Sequence, residues 1–143
     1  MKSKLISGAA QKTYAVIFDP ADEVMQGLEE FARAEQLTAA QFTALGAFSD
    51  AVLGYFEIEK KEYKRIPVRE QVEVLALVGD VSLKDGKPAV HAHVVLGKSD
   101  GTAHGGHLLE AHVRPTLEVI LTESPRHLER QHDEESGFAR IRV

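Results

Sequence analysis

The chain has 143 residues, 43% of them hydrophobic and 27% charged, with a formal net charge of −5. Those values suit one globular domain of ordinary size, and the acidic balance argues against a broad phosphate-binding face. Cysteine is absent, which excludes disulfide frameworks, thiolate zinc sites, iron–sulfur clusters and cysteine nucleophiles.

No apolar run approaches the roughly 18 residues of a membrane span. The stretch Met1–Gly8 is basic, but its apolar part is too short and broken for a signal peptide. The expectation is therefore a single soluble, cytoplasmic domain over residues 1–143. Thr13 to Phe18 reads as a short strand ending at Asp19-Pro20. Next, Val24, Met25, Leu28, Phe31 and Ala32 recur at helical spacing, while Glu23, Gln26, Glu29, Glu30, Arg33 and Glu35 take the other side. With Asp19, Pro20 and Asp22 supplying the start, a helix is predicted from about Asp22 to Gln36.

Most of the remainder reads as strand. Gln41 to Phe56 is rich in β-formers, with Gly46 and Gly54 as bends or bulges. Tyr55–Glu59 and Tyr63–Val68 flank a turn at Lys60-Lys61-Glu62. Val72–Val81 is the most apolar segment and is expected to be a buried central strand. Asp85-Gly86 marks a hairpin turn before the strand Ala89–Leu96, and Lys98–Thr102 is the next turn. Leu117–Thr122 closes the sheet; past Ser124-Pro125 the chain is highly charged until a last short strand from Phe138. The predicted fold class is α+β: a mostly antiparallel β-sheet with one principal covering helix at about residues 22–36.

Of seven histidines in the chain, His91, His93, His104 and His107 cluster along the sequence. Without thiols, a transition-metal site here has to use imidazole and carboxylate. His91 and His93 stand two apart in a strand, so their rings share a face at roughly 7 Å between Cβ atoms. The Asp100-Gly101 turn returns His104-Gly105-Gly106-His107 beside them, and the two glycines allow a bulge or close backbone approach before His107. Three imidazoles around zinc leave an open position for water or substrate. Spacing alone does not choose between His104 and His107. His112, His127 and His132 read as surface residues. A cupin also carries His-x-His on a strand, but there a glutamate follows closely. Val94–Lys98 contains no acid, so that reading ranks low.

Pro88-Ala89-Val90-His91-Ala92-His93-Val94-Val95-Leu96, then Asp100-Gly101, then Gly105-Gly106-His107-Leu108-Leu109-Glu110 resembles the signature of the plant-and-prokaryote conserved (PPC) domain. Leu45-Gly46-Ala47 ahead of Tyr55-Phe56, and Glu73-Val74-Leu75 ahead of Gly79-Asp80, fit in order. The resemblance covers about residues 10 to 125. It implies a compact α+β domain that assembles as a homotrimer. Some prokaryotic members carry zinc, and their motif maps the ligands onto His91, His93 and His107, because only His107 fills the Gly-Gly-His slot. Plant members add AT-hooks for DNA, but no Arg-Gly-Arg-Pro occurs here. Their Gly-Arg-Phe-Glu-Ile-Leu partner segment is matched only at its end by Glu70–Leu75, so partner recognition is not carried over. Single-domain prokaryotic members are often described as DNA-binding proteins.

These readings define three function classes. In the first, zinc serves a small-molecule or anionic ligand, in binding or catalysis. The nearby acids Glu73, Asp100 and Glu110 read as solvated or turn-forming, and no nucleophile elbow, phosphate loop or paired-carboxylate motif names a reaction. In the second, a DNA-binding regulator would use Lys60, Lys61, Lys64, Arg65 and Arg69, with Arg126, Arg130, Arg140 and Arg142. Both basic sets are interleaved with acids, as expected of a solvated mixed-charge surface. The third is an oligomeric interaction module whose metal is structural or absent.

Overall fold

The computed structural model describes residues 1–7, 11–124 and 126–142. In chain order it contains β1 (Lys2–Ser7), β2 (Thr13–Phe18), α1 (Val24–Ala34), β3 (Ala39–Glu57), β4 (Glu62–Val68), β5 (Val72–Lys84), β6 (Lys87–Gly97), β7 (Ala103–Glu123), β8 (Glu129–Asp133) and β9 (Phe138–Arg142). Among the described residues every strand pairing is antiparallel except the short β5–β8 contact. The α+β class with one covering helix is therefore what the chain adopts. No helix among the described residues is long and apolar enough to cross a membrane.

Two long strands organise the molecule. β3 and β7 run antiparallel from Ala40↔Glu123 to Gly54↔His107. The first half of β3 also pairs β5, β5 pairs β6, and β6 pairs the start of β7. These contacts close a ring of strands around a core that includes Phe18, Phe48, Leu53, Leu77, Leu108 and Leu121. Closure on this scale needs bends, and Gly46 supplies one. A Cβ there would overlap the Thr116 carbonyl oxygen, and the β3 register shifts on both of its partners at that point.

The helix is shorter than predicted. Glu23, not Asp22, is its N-cap, and the Glu23 carboxylate accepts from the backbone N–H of Met25 and Gln26 at 3.2 and 2.6 Å. The same carboxylate accepts from the Ala111 N–H at 3.1 Å, tying the helix start to β7. Asp22 instead accepts from the Asp19 N–H at 2.9 Å. At the other end Gln36 turns left-handed, with φ 54°, while Leu37 donates to the Ala32 carbonyl at 2.9 Å and Gln36 to that of Arg33 at 3.2 Å. That pattern satisfies the last carbonyls and stops the helix. Val24, Leu28, Phe31 and Ala32 are buried, with β6 and β7 as the neighbouring strands.

Three sequence expectations change. β5 is not buried throughout: Val72, Val74, Leu77 and Val81 are, but Leu75 and Val78 are each 53% exposed. They join Leu45, Val95 and Ile120 as large exposed apolar side chains on the strands around the ring. The histidine segment and Leu117–Thr122 are one 21-residue strand, β7. Beyond Ser124 the charged tail forms a β8–β9 hairpin that joins the edge of β5 through Leu83↔Glu129 and Lys84↔Arg130.

Candidate metal centre

The strand ladder brings the three motif histidines together. His91 and His93 project from β6, and His107 lies opposite His93 on β7. Their ring centroids are 5.0 Å (His91–His93), 5.0 Å (His91–His107) and 5.4 Å (His93–His107) apart. One nitrogen from each ring lies within 4.8 Å of the others. His104 lies opposite Leu96, exposed and outside the group. The glycines before His107 act by close approach. A Cβ on Gly106 would stand 2.8 Å from the Gly54 carbonyl oxygen, so a side chain there would push β7 off β3. A register shift follows directly, with Leu109 as the extra residue between Leu53↔Leu108 and Val52↔Glu110.

Two of the rings, His107 and His93, are pushed toward the neutral form. His107 stacks on Tyr63 at 4.7 Å between centroids. Burial pushes its pKa down to about 4, helped by His91, His93 and the Arg130 charge. Burial also lowers His93, with His91 adding to the effect. Neutral imidazole is the form that ligates a metal. Moreover, His91 Nε2 and His107 Nδ1 are buried with no hydrogen-bond partner. A buried unpaired polar atom costs about 1–3 kcal/mol. A cation accepting both lone pairs would remove that cost, and a set of imidazole nitrogens suits zinc and its first-row neighbours. The residues present therefore fit a metal.

The β8–β9 hairpin forms one wall of the site. Arg130, whose side chain is only 9% exposed, donates through Nε to Ser82 Oγ at 2.8 Å and through Nη1 to the Ala139 carbonyl at 3.0 Å. Its Nη2 donates to Asp80 Oδ1 and Oδ2 at 2.9 and 2.8 Å. Although burial opposes it, hydrogen bonds from His91 and Arg130 hold Asp80 below the usual carboxylate range. Phe138 packs 5.9 Å from His91 and 5.4 Å from Phe56. Two clefts open beside the cluster. One, of about 600 Å³, is lined by Lys61, Tyr63, His91, His107, Arg130 and Phe138 among others. The other, of about 450 Å³, is more apolar and includes Tyr55, Phe56, Ile58, Tyr63, His93 and His107.

Arg130, Asp80 and Phe138 were not legible as site residues. Arg130 is corrected from a solvated surface charge to a buried clamp. Other basic candidates are engaged by acids or backbone: Lys60 with Glu57 at 2.7 Å, Arg65 with Glu110 at 3.4 Å, Arg140 with Asp133 at 2.8 Å, and Lys61 with the Glu134 carbonyl. Among the acids, Asp100 is turn-forming as expected, accepting from the Thr102 N–H and hydroxyl at 2.9 and 2.6 Å. Glu73, Asp100 and Glu110 all lie outside the histidine group. His127 and His132 are exposed as expected, whereas His112 has a partner, with Nδ1 2.9 Å from Asp50 Oδ1.

Known proteins resemble this chain over nine-tenths or more of its length. A metal-containing protein from Archaeoglobus fulgidus is 38% identical, with 100% of each chain covered and a TM-score of 0.86. A candidate DNA-binding protein from Ralstonia eutropha JMP134 is 30% identical, covering 91% of this chain and 90% of that one, with a TM-score of 0.85. A bifunctional GlmU protein from a Synechococcus strain is 30% identical over 135 residues; this alignment takes in 92% of the present chain but only 20% of GlmU. The chain thus spans about a fifth of the length of that curated relative. The model of the Plants and Prokaryotes Conserved (PCC) domain matches residues 5–125, a span that holds all three clustered histidines. With that match over most of its length, the chain belongs to the Plants and Prokaryotes Conserved domain family.

Proposed function

We propose that the protein is a homotrimer in which His91, His93 and His107 of each chain hold a zinc ion, and that the ion's open position binds a small anionic or carbonyl-bearing molecule. The observation that carries this reading is the pair of buried, unpartnered nitrogens, His91 Nε2 and His107 Nδ1, in a group of three converging imidazoles. Zinc would act there as a Lewis acid toward an oxygen ligand. The chain's own residues orient and shield. Tyr63 fixes the His107 ring by stacking, Phe138 limits water at His91, and the adjoining clefts give a small molecule room. The metal-containing relative from Archaeoglobus fulgidus supports the metal. The exposed apolar side chains Leu45, Leu75, Val78, Val95 and Ile120 support assembly, since such surface is normally covered.

The test is metal analysis of the purified protein, wild type against His91→Ala, with circular dichroism on both. Stoichiometric zinc in the wild type and its loss from a folded variant are expected. Protein that takes up no zinc on reconstitution would remove the reading. Light scattering that returns a monomer mass at micromolar concentration would remove the trimer. DNA binding is the second reading, favoured by the name of the Ralstonia relative. Against it, several of the basic side chains are tied to acids or buried. Little duplex retention is expected near physiological salt, and tight retention under those conditions would reverse the ranking.

A further inference from the structure

We infer that Asp80, clamped by Arg130 from the C-terminal hairpin, is a positioning residue that sets which nitrogen of His91 faces the histidine cluster with a free lone pair. The inference rests on the metal reading above. It begins with a conflict at His91 Nδ1, which lies 3.2 Å from Arg130 Nη2 and 3.6 Å from Asp80 Oδ2. A guanidinium can only donate, and a carboxylate can only accept. A neutral imidazole carries one N–H, so Nδ1 answers one of these neighbours and not both.

The two choices have opposite consequences at the other nitrogen. If Nδ1 accepts from Arg130, the proton sits on Nε2. A buried N–H then points into the cluster without a partner, and no lone pair is left for a cation. If Nδ1 carries the proton, it is directed to Asp80 and Nε2 presents its lone pair beside His93 and His107. The unpartnered Nε2 among the converging rings favours the second, because a proton there would be stranded. Both oxygens of Asp80 lie near Arg130 Nη2, at 2.9 and 2.8 Å, so one N–H serves the carboxylate while the other faces His91 Nδ1 at 3.2 Å. With the Nε2 lone pair committed to a cation, the Nδ1 proton has Asp80 Oδ2, 3.6 Å away, as its acceptor, and Arg130 holds that carboxylate in place.

The placement is built into the ladder. Asp80 is the β5 residue paired with His91 on β6, and Arg130 reaches both from β8 through the β5–β8 contact. Buried Ser82 and the Ala139 carbonyl bind the rest of the guanidinium, so it cannot swing away without losing partners. Arg130 lies beyond residue 125, where the family match ends. The hairpin is thus joined to a ligand that lies inside the matched region.

The test uses the full chain and two independent readouts. Zinc affinity, measured by competition with a chromophoric chelator, should fall roughly 10- to 100-fold in Asp80→Asn, the usual consequence of losing a ligand's outer partner. The asparagine amide can donate to Nδ1 and so favours the wrong proton position. Imidazole ¹⁵N NMR of the zinc-loaded wild type should show His91 protonated on Nδ1, which needs no variant to fold. A loaded His91 with its proton on Nε2, or an Asp80→Asn affinity within about twofold of wild type, overturns the assignment. A wild type that binds zinc with an affinity insensitive to Asp80→Asn defeats this inference alone; a wild type that takes up no zinc defeats the metal reading and this one with it.

Discussion

His107 and His112 lie on the same strand and meet the same neighbour, yet their imidazoles end in opposite electrostatic states. Opposite His112, β3 presents Asp50, and His112 Nδ1 lies 2.9 Å from that carboxylate, which also accepts from Ser49 Oγ at 2.8 Å. The hydrogen bond raises the His112 pKa and lowers that of Asp50. Opposite His107, β3 presents Gly54, which offers no side chain. Burial there pushes the imidazole down to about 4 and leaves its Nδ1 without a partner. One histidine has its counter-charge built into the sheet. The other is desolvated, neutral and surrounded by like groups, which is the environment a cation site requires and a protonated imidazole does not tolerate.

The largest difference between the two sites should appear in metal binding. His107→Ala removes one of three ligands and should weaken zinc by at least about a hundredfold, more than the loss of an outer partner. His112→Ala should leave zinc affinity unchanged, and His104→Ala should change it little. Equal losses at His104 and His107 would show that the ligand set is wrong. Next in size is the stabilisation that zinc confers on folding. At a free concentration a hundred times the Kd, a ligand that binds only the folded state adds about 2.7 kcal/mol. For a chain of this size that corresponds to a rise in Tm of roughly 5–10 °C. Thermal scans should show the rise in wild type and in His112→Ala, its reversal by chelator, and its absence in His107→Ala.

The histidine motif was readable because strand period and one short turn place His91, His93 and His107 together, and these are local rules. The choice of His107 over His104 rests on the family motif; the ladder places His107 opposite His93 and His104 opposite Leu96. The outer layer was not readable. Arg130 sits in a mixed-charge tail whose composition matches solvated surface, and only the β5–β8 contact makes it a partner of Asp80. Asp50 and His112 are 62 residues apart, so nothing local announces the pair. β5 misled for a different reason. An uninterrupted apolar run looks buried on both faces, whereas Leu75 and Val78 lie on a face that the single chain leaves uncovered. The helix was found but over-extended, because Asp22 and Glu23 are both capping acids and only the fold decides which one reaches the helix N–H groups.

Titration of the metal-free protein sharpens the contrast without any substitution. His107 is depressed from the ordinary value near 6.5, so below pH 6.5 the unfolded chain takes up a proton that the folded chain refuses. Its contribution to stability is therefore present above about 6.5 and is lost as pH falls toward about 4. His112 is raised, so its contribution is complete below about 6.5 and is lost as pH rises through its folded value. Histidine side-chain NMR should show His107 still neutral at pH 5.5, and His112 titrating above the unperturbed value. A His107 midpoint at or above 6.5 in metal-free protein would mean that the ring is solvated, and the contrast with His112 would collapse.

The smallest effect belongs to His112 itself. Its side chain is 38% exposed and that of Asp50 is 46% exposed, so water and salt screen the pair heavily. His112→Ala should therefore cost no more than about 1 kcal/mol. The sign of its pH dependence identifies the source. The pair is ionic only between the lowered value of Asp50 and the raised value of His112. The deficit of His112→Ala, measured by urea denaturation, should accordingly be larger at pH 6 than at pH 9, and should shrink when salt is added at pH 6. Asp50→Asn should show the same pattern, because it removes the same charge from the other end. A deficit independent of both pH and salt would assign it to lost packing on β7, and the carboxylate would no longer explain why His112 and His107 differ.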